Sequence, residues 1–152
     1  MKCITDKDSK KIPLGSLISI INRYYGVKLD KETDHFRGQI PFLIALLEEN
    51  NVSQDYFAHL FNMNEGTVAR TVEKLEKNDL IIRKVDECNK RKKIIYLTDK
   101  GRKNALKFKS LDKKIEEKLF EDFSKESIEN SKKILKKIAI NAINLCEDDF
   151  EK

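Results

Sequence analysis

The chain has three cysteines and two histidines among 152 residues. Cys3, Cys88 and Cys146 are odd in number and widely separated, so no disulfide framework is expected and a reducing, cytoplasmic setting fits. His35 and His59 lie far apart, and neither has a partner at ligand spacing, so no metal site is expected. A phosphate-binding glycine loop, a nucleophile motif and a clustered acid pair are all missing. No catalytic residue and no cofactor therefore suggest themselves, and an enzyme reading has nothing to carry it. Met1 to Pro13 is polar and charged, without the apolar centre of a signal peptide. No stretch approaches the roughly 18 apolar residues of a membrane span, and no membrane partner is expected.

What is present is charge and a modest core. Charged residues make up 38% and apolar residues 39%, with eight Phe and four Tyr, which excludes a disordered chain. Lys plus Arg total 31 against 26 acids, a formal net charge of +5. That balance permits a polyanionic partner without proving one, so where the cations sit matters more than their sum. The length fits one compact domain with helical extensions.

Apolar spacing at Leu14, Leu17, Ile18, Ile21, Tyr24 and Tyr25 predicts a helix over Leu14–Lys31, with Pro13 suited to its start. A polar break, Thr33 to Gly38, separates it from a second helix at about Gln39–Glu49, apolar on most sides and hence central. Ser53 is read as the cap of a third helix, Gln54–Leu60, and Asn64 as the cap of a fourth, Glu65–Lys77. Leu80–Ile82 and Ile94–Leu97 are β-rich and enclose a basic stretch, Arg83 to Lys93, which predicts a hairpin with a charged tip. Thr98 caps a fifth helix running to about Phe123, and Ser124 caps a sixth reaching Asp148. The fold class is mostly α with a small β-hairpin wing. Residues 39–101 form a winged helix-turn-helix lobe. Residues 1–38 hold an N-terminal arm and helix, and 102–152 the C-terminal helices.

In the fourth helix Val68, Val72 and Leu75 share one side, which must face the core. Gly66, Arg70 and Lys77 lie opposite, flanked by Thr67, Glu73 and Lys74. A B-DNA major groove, about 12 Å wide, admits one helix whose outer face is free of bulk near its N-terminus. Gly66 lets the backbone come close, Thr67 can donate to phosphate or touch a thymine methyl, and Arg70 has forked donors for guanine or phosphate. A solvated amphipathic face explains the helix alone equally well. The hairpin tips the balance: Arg83, Lys84, Lys90, Arg91, Lys92 and Lys93 crowd six cations together. Clustered cations favour an approaching anion, although lysines can also simply protect a hairpin edge. Ser53, Gln54, Asn64, Glu65, Gly66, Thr67, Arg70, Lys74, Arg83, Lys90, Arg91 and Lys92 are the candidate contacts to double-stranded DNA.

These residues resemble the MarR family of winged-helix regulators. The family's Leu-Glu-x-x-x-Leu-Ile-x-Arg passage into the first strand stands here as Leu75-Glu76, Leu80-Ile81 and Arg83. Its Asp-x-Arg wing tip is Asn89-Lys90-Arg91, and its closing Leu-Thr-x-x-Gly is Leu97 to Gly101. The resemblance implies a DNA-binding transcription regulator of repressor type, with Arg91 in the minor groove and Arg70 reading the major groove. Asn89 replaces the wing aspartate and loses an ion pair to Arg91. Glu65 and Glu73 put carboxylates beside the presumed DNA face, and Ala69 removes a common hydroxyl.

The last helix is apolar nearly all round from Ile134 to Cys146, so it must be covered. A two-fold homodimer with interlocked terminal helices is expected, its DNA-binding lobes about 34 Å apart on a near-palindromic site. Packing of the first, fifth and sixth helices within one chain is the alternative. The resemblance also implies a small phenolic or aromatic effector near Tyr24, Tyr25, His35 and Arg37, although core tyrosines and a surface His-Arg pair account for those residues too. Two other readings stay open. One is a protein-contact module without DNA. The other is a thiol sensor using Cys88, whose neighbours Lys84 and Lys90 favour the thiolate.

Overall fold

In the computed structural model the described residues are 11–33, 38–49, 51–87, 89, 90 and 92–148, with the side chains through 145. They form α1 (Leu14–Thr33), α2 (Ile40–Glu48), α3 (Gln54–Phe61), α4 (Glu65–Lys77), β1 (Ile81–Val85), β2 (Lys93–Leu97), α5 (Asp99–Leu119) and α6 (Lys125–Asp148). None of these helices is long and apolar enough to cross a membrane. His35, Arg37, Cys3, Cys88 and Arg91 lie outside the described residues, as does most of the expected break between the first two helices.

The core is built on α2. Phe42, Leu43 and Leu46 are fully buried and meet Phe57 of α3 and Val68, Val72 and Leu75 of α4. The Phe42 ring lies 4.7 Å from Phe57 and 5.1 Å from Phe61. On the other side α2 packs against α5, whose Ala105 and Phe108 are buried. Each of these side chains removes on the order of 2 kcal/mol of apolar surface from water, so this cluster fixes the lobe.

The local punctuation follows residue chemistry. Asn62 ends α3 in the left-handed region (φ 46°, ψ 55°), a conformation asparagine tolerates, and makes the tight turn into α4. Asn64 accepts from the Thr67 amide at 2.8 Å, capping α4. Thr98 accepts from the Gly101 amide at 2.9 Å and caps α5 in the same way. Ser53 does occupy the position before α3, yet its hydroxyl makes no capping bond.

Helix α1 runs on to Thr33 and α3 to Phe61, slightly past the expected ends, and two larger differences from the sequence reading stand out. Helix α5 stops at Leu119 rather than Phe123, because the Phe120 to Phe123 turn intervenes, with the Phe123 amide donating to the Phe120 carbonyl at 3.0 Å. The hairpin is longer than its apolar segments. Its register pairs Ile81 with Leu97, Arg83 with Ile95, Lys84 with Ile94 and Val85 with Lys93. Arg83, Lys84 and Lys93 are therefore ladder residues and not part of the tip. Ladder bonds form between backbones, so β-branched partners on β2 carry the basic residues into the sheet. Lys84 lies over the Tyr96 ring at 5.3 Å. A bridge from Val52, whose carbonyl accepts from the Ile95 amide at 2.8 Å, ties the α2–α3 connection to β2.

Helix α6 has no fully buried side chain among those described. Lys132 Nζ ties it to Glu116 Oε1 of α5 at 2.6 Å. Ile134, Leu135, Ile140 and Leu145 stand 60%, 49%, 47% and 68% exposed, and Leu14, Ile18 and Ile21 of α1 are exposed too.

Candidate nucleic-acid interface

Helix α4 turns Val68, Val72 and Leu75 inward and leaves its other side open. Glu65, Gly66, Ala69, Arg70, Glu73, Lys74 and Lys77 are all exposed, so the chain itself does not cover the face that would enter a groove. A Cβ added at Gly66 would meet only Asn64 Oδ1, at an ordinary 3.6 Å. Nothing inside the chain requires glycine there, whereas a close-lying phosphate backbone would. The Arg70 Nη2 donates to Thr67 Oγ1 at 3.2 Å, and the Thr71 hydroxyl donates to the Thr67 carbonyl at 2.9 Å. Thr67 and Arg70 thus form one polar unit a turn into the helix. Toward the C-terminus Lys77 pairs with Glu73 at 3.2 Å, which leaves Lys74 as the cation of that turn with no such partner among the described residues.

Hydrogen bonds link the described residues near the hairpin tip. The Asp86 amide donates to the Lys92 carbonyl at 2.9 Å, the Lys92 amide to the Asn89 carbonyl at 2.8 Å, and the Asn89 amide to Asp86 Oδ1 at 3.3 Å. Lys90 and Lys92 are exposed. Lys92 leans toward the start of α3, its Nζ 3.9 Å from Asp55 Oδ2. Ser53, Gln54, Asp55, Lys92 and Lys93 line one shallow depression there. The N-terminus of α3 and the wing base therefore meet, which the sequence separates by almost forty positions.

Arg83 behaves differently from the other candidates. Its Nε donates to Glu76 Oε2 at 3.0 Å, and its Nη2 donates to the same oxygen. The Arg83 hydrogen bond holds the Glu76 carboxyl below the usual range, and the two side chains are 24% and 36% exposed. Sequence reasoning placed Arg83 with the tip cations and missed Glu76. The seven-residue separation across a tight turn was the available signal. It also missed Asp86, for which the Asp-x-x-Asn spacing of a side-chain-capped turn was legible.

Tyr24 and Tyr25 line an apolar groove of about 660 Å³ between α1 and α5, with Ile20, Ile21, Lys28 and Lys114 among its walls. Tyr25 donates through its hydroxyl to Asp112 Oδ1 of α5. Burial, and then the neighbouring Glu116, push the Asp112 carboxyl above its ordinary value, against the pull of Lys132.

A short helix held outward by its neighbour, followed by a basic hairpin braced to it, defines a winged helix-turn-helix. The MarR family profile matches residues 37–93 of the chain. An uncharacterized HTH-type transcriptional regulator of Bacillus subtilis (strain 168), YybA, is 34% identical over 73 residues, 48% of this chain and 49% of that protein, so the match spans about half the relative's length. A MarR transcriptional regulator from Methanosarcina mazei Go1 superposes with a TM-score of 0.75 at 27% identity, covering 87% of this chain and 97% of that one. The S. aureus MepR–DNA complex gives a TM-score of 0.78 at 26% identity, covering 86% and 99%. Residues 37–93 are thus similar to the MarR family, and the chain shares the fold of these regulators.

Proposed function

We propose that the chain is a cytoplasmic, sequence-specific transcription regulator that binds double-stranded DNA as a homodimer and acts as a repressor. The observation that carries this reading is the outward side of α4, where Gly66 and Arg70 are exposed and Thr67 is partly exposed, followed in the chain by the cationic wing. A free helix N-terminus of this width suits the major groove, and a basic hairpin next to it suits the flanking phosphates and minor groove. MepR, of the same fold, was solved bound to DNA. Gly66, Thr67, Arg70 and Lys74 approach base edges and phosphates; Ser53, Gln54, Asn64 and Glu65 flank them; Lys90, Arg91 and Lys92 supply the wing's charge.

Residues 39–101 act as the reading lobe, and 1–38 with 102–152 as the dimerisation elements. The exposed apolar side chains of α1 (Leu14, Ile18, Ile21) and α6 (Ile134, Leu135, Ile140, Leu145) are what a partner copy would cover. A second copy covering that surface in a two-fold arrangement would present two reading helices about one DNA turn apart. A small aromatic or phenolic effector would lodge at Tyr24 and Tyr25 and alter that spacing. Selection of bound duplexes from random DNA tests the reading. A near-palindromic consensus supports it. Recovery of no preferred sequence at low salt contradicts it.

A further inference from the structure

Two roles are open to Arg83. It could reach a phosphate, as its place among the wing cations suggests, or it could hold the wing in place. The side-chain geometry separates them. Residues 81, 83, 95 and 97 share one side of the hairpin, by their register. Ile81 and Ile95 on that side are buried. Arg83 therefore lies on the core side of β1, over the C-terminal half of α4, with Nε and Nη2 both directed at one carboxylate oxygen of Glu76. Two donors in a fixed fork on one acceptor define an orientation as well as an attraction. Lys93 adds charge near Glu76, but no ion pair joins them among the described residues.

The covalent link between α4 and β1 is only Asn78 to Leu80, with Asp79 in the left-handed region at φ 56°. That turn is braced by α5, and the buried Ile81 and Ile95 anchor the base of the hairpin, so it is the inclination of the strands beyond them, toward the tip, that a further contact can set. Toward the tip, the Lys92–Asp55 pair is long, at 3.9 Å, and both side chains are largely exposed, so it restrains little. The Arg83–Glu76 contact is shorter and more buried, and it joins the wing to the reading helix α4, whereas Asp55 belongs to α3.

We propose that Glu76 and Arg83 are positioning residues for DNA binding. Together they lock the hairpin to α4 at the angle at which the wing cations and the Gly66–Arg70 face engage one duplex at once, and Arg83 makes no phosphate contact of its own. The proposal rests on the DNA-binding reading and assigns these two side chains within it.

The test measures affinity for a selected operator duplex against salt concentration, for the full chain and its Arg83→Ala, Glu76→Ala and charge-exchanged Glu76→Arg/Arg83→Glu forms. A lost phosphate contact lowers the slope of log affinity against log salt by about 0.9. The positioning role predicts weaker binding, on the order of tenfold, in both single variants with the wild-type slope retained. It predicts partial recovery in the exchanged pair. The sign for Glu76→Ala is decisive, because removing a negative charge near DNA would otherwise tighten binding. Hydroxyl-radical protection should fade at the wing's flanks while guanine protection in the major groove persists. A reduced slope for Arg83→Ala, or tighter binding by Glu76→Ala, overturns the assignment. If either alanine form melts before binding can be read, Glu76→Gln and Arg83→Lys keep the volume and must show the same pattern; wild-type affinity in both refutes it. Failure of the wild-type chain to bind any duplex would instead overturn the function proposed above.

Discussion

Gly101 and Leu80 touch backbone to backbone: a Cβ at Gly101 would lie 1.8 Å from the Leu80 carbonyl oxygen. The same carbonyl accepts from the Thr98 amide at 3.1 Å, the Thr98 hydroxyl donates to the Asp79 carbonyl at 2.7 Å, and Lys100 Nζ donates to the Asn78 carbonyl at 2.9 Å. The start of α5 is thus clamped onto the turn that joins α4 to β1. Any side chain at Gly101 must push α5 off that turn. Gly101→Ala is expected to destabilise the fold by about 3 kcal/mol or more, since no flexible atom can yield. Chemical denaturation checks it; a loss below about 1 kcal/mol would show that the contact is not tight.

Helix α6 offers a cleaner separation of folding from assembly. Ile134 is 60% exposed within the single chain and makes little contribution to its core. Ile134→Glu should therefore leave the thermal unfolding of the lobe nearly unchanged while breaking the proposed dimer. Burying an unpaired charge costs about 3 kcal/mol, which corresponds to roughly 100-fold in the dissociation constant. Sedimentation across concentrations tests the proposed wild-type dimer and its loss in the variant; a monomeric wild type would contradict it.

Asp112 makes stability depend on pH in a direction opposite to most carboxylates. Its pKa is raised in the folded chain, chiefly by burial and then by Glu116. A raised carboxyl contributes stability that is complete below the ordinary aspartate value and is lost as pH rises through the folded value. Above the folded value the ionised side chain is therefore a net cost. Asp112→Asn keeps an acceptor for the Tyr25 hydroxyl and removes the repulsion. Its melting temperature should exceed the wild type's by a few degrees at pH 7, with the advantage shrinking toward pH 4. An unchanged difference across that range would remove Asp112 as the cause.

The sequence was most legible where a local rule and a tertiary need agree. Helix α4 could be read to the residue, because Asn64 is a good cap and the Val68, Val72, Leu75 stripe has helical period. The wing as such was legible, since two β-rich segments flank a polar one. Its detail was not. Arg83 counts as one more cation in sequence, and only the fold reveals that β1 carries it back over Glu76. The Val52–Ile95 bridge and the Ser53–Lys92 proximity join distant segments and leave no local trace. Ser53 shows the limit of a cap rule, since the residue sits in position without making the bond. Gly101 was visible as a motif letter, yet its reason is a carbonyl twenty-one positions upstream.

The central claim is that the Gly66–Arg70 face reads bases while the wing holds phosphates. Affinity for the selected operator and for an unrelated duplex, each measured against salt for the wild type, Arg70→Ala and Lys90→Ala, tests it most directly. A base-reading Arg70 predicts a loss of about 1–3 kcal/mol on the operator alone, collapsing the preference between the two duplexes. A phosphate-holding Lys90 predicts weaker binding to both, with a salt slope lower by about 0.9. Equal affinity for operator and unrelated DNA in the wild type, or a preference untouched by Arg70→Ala, would contradict the account.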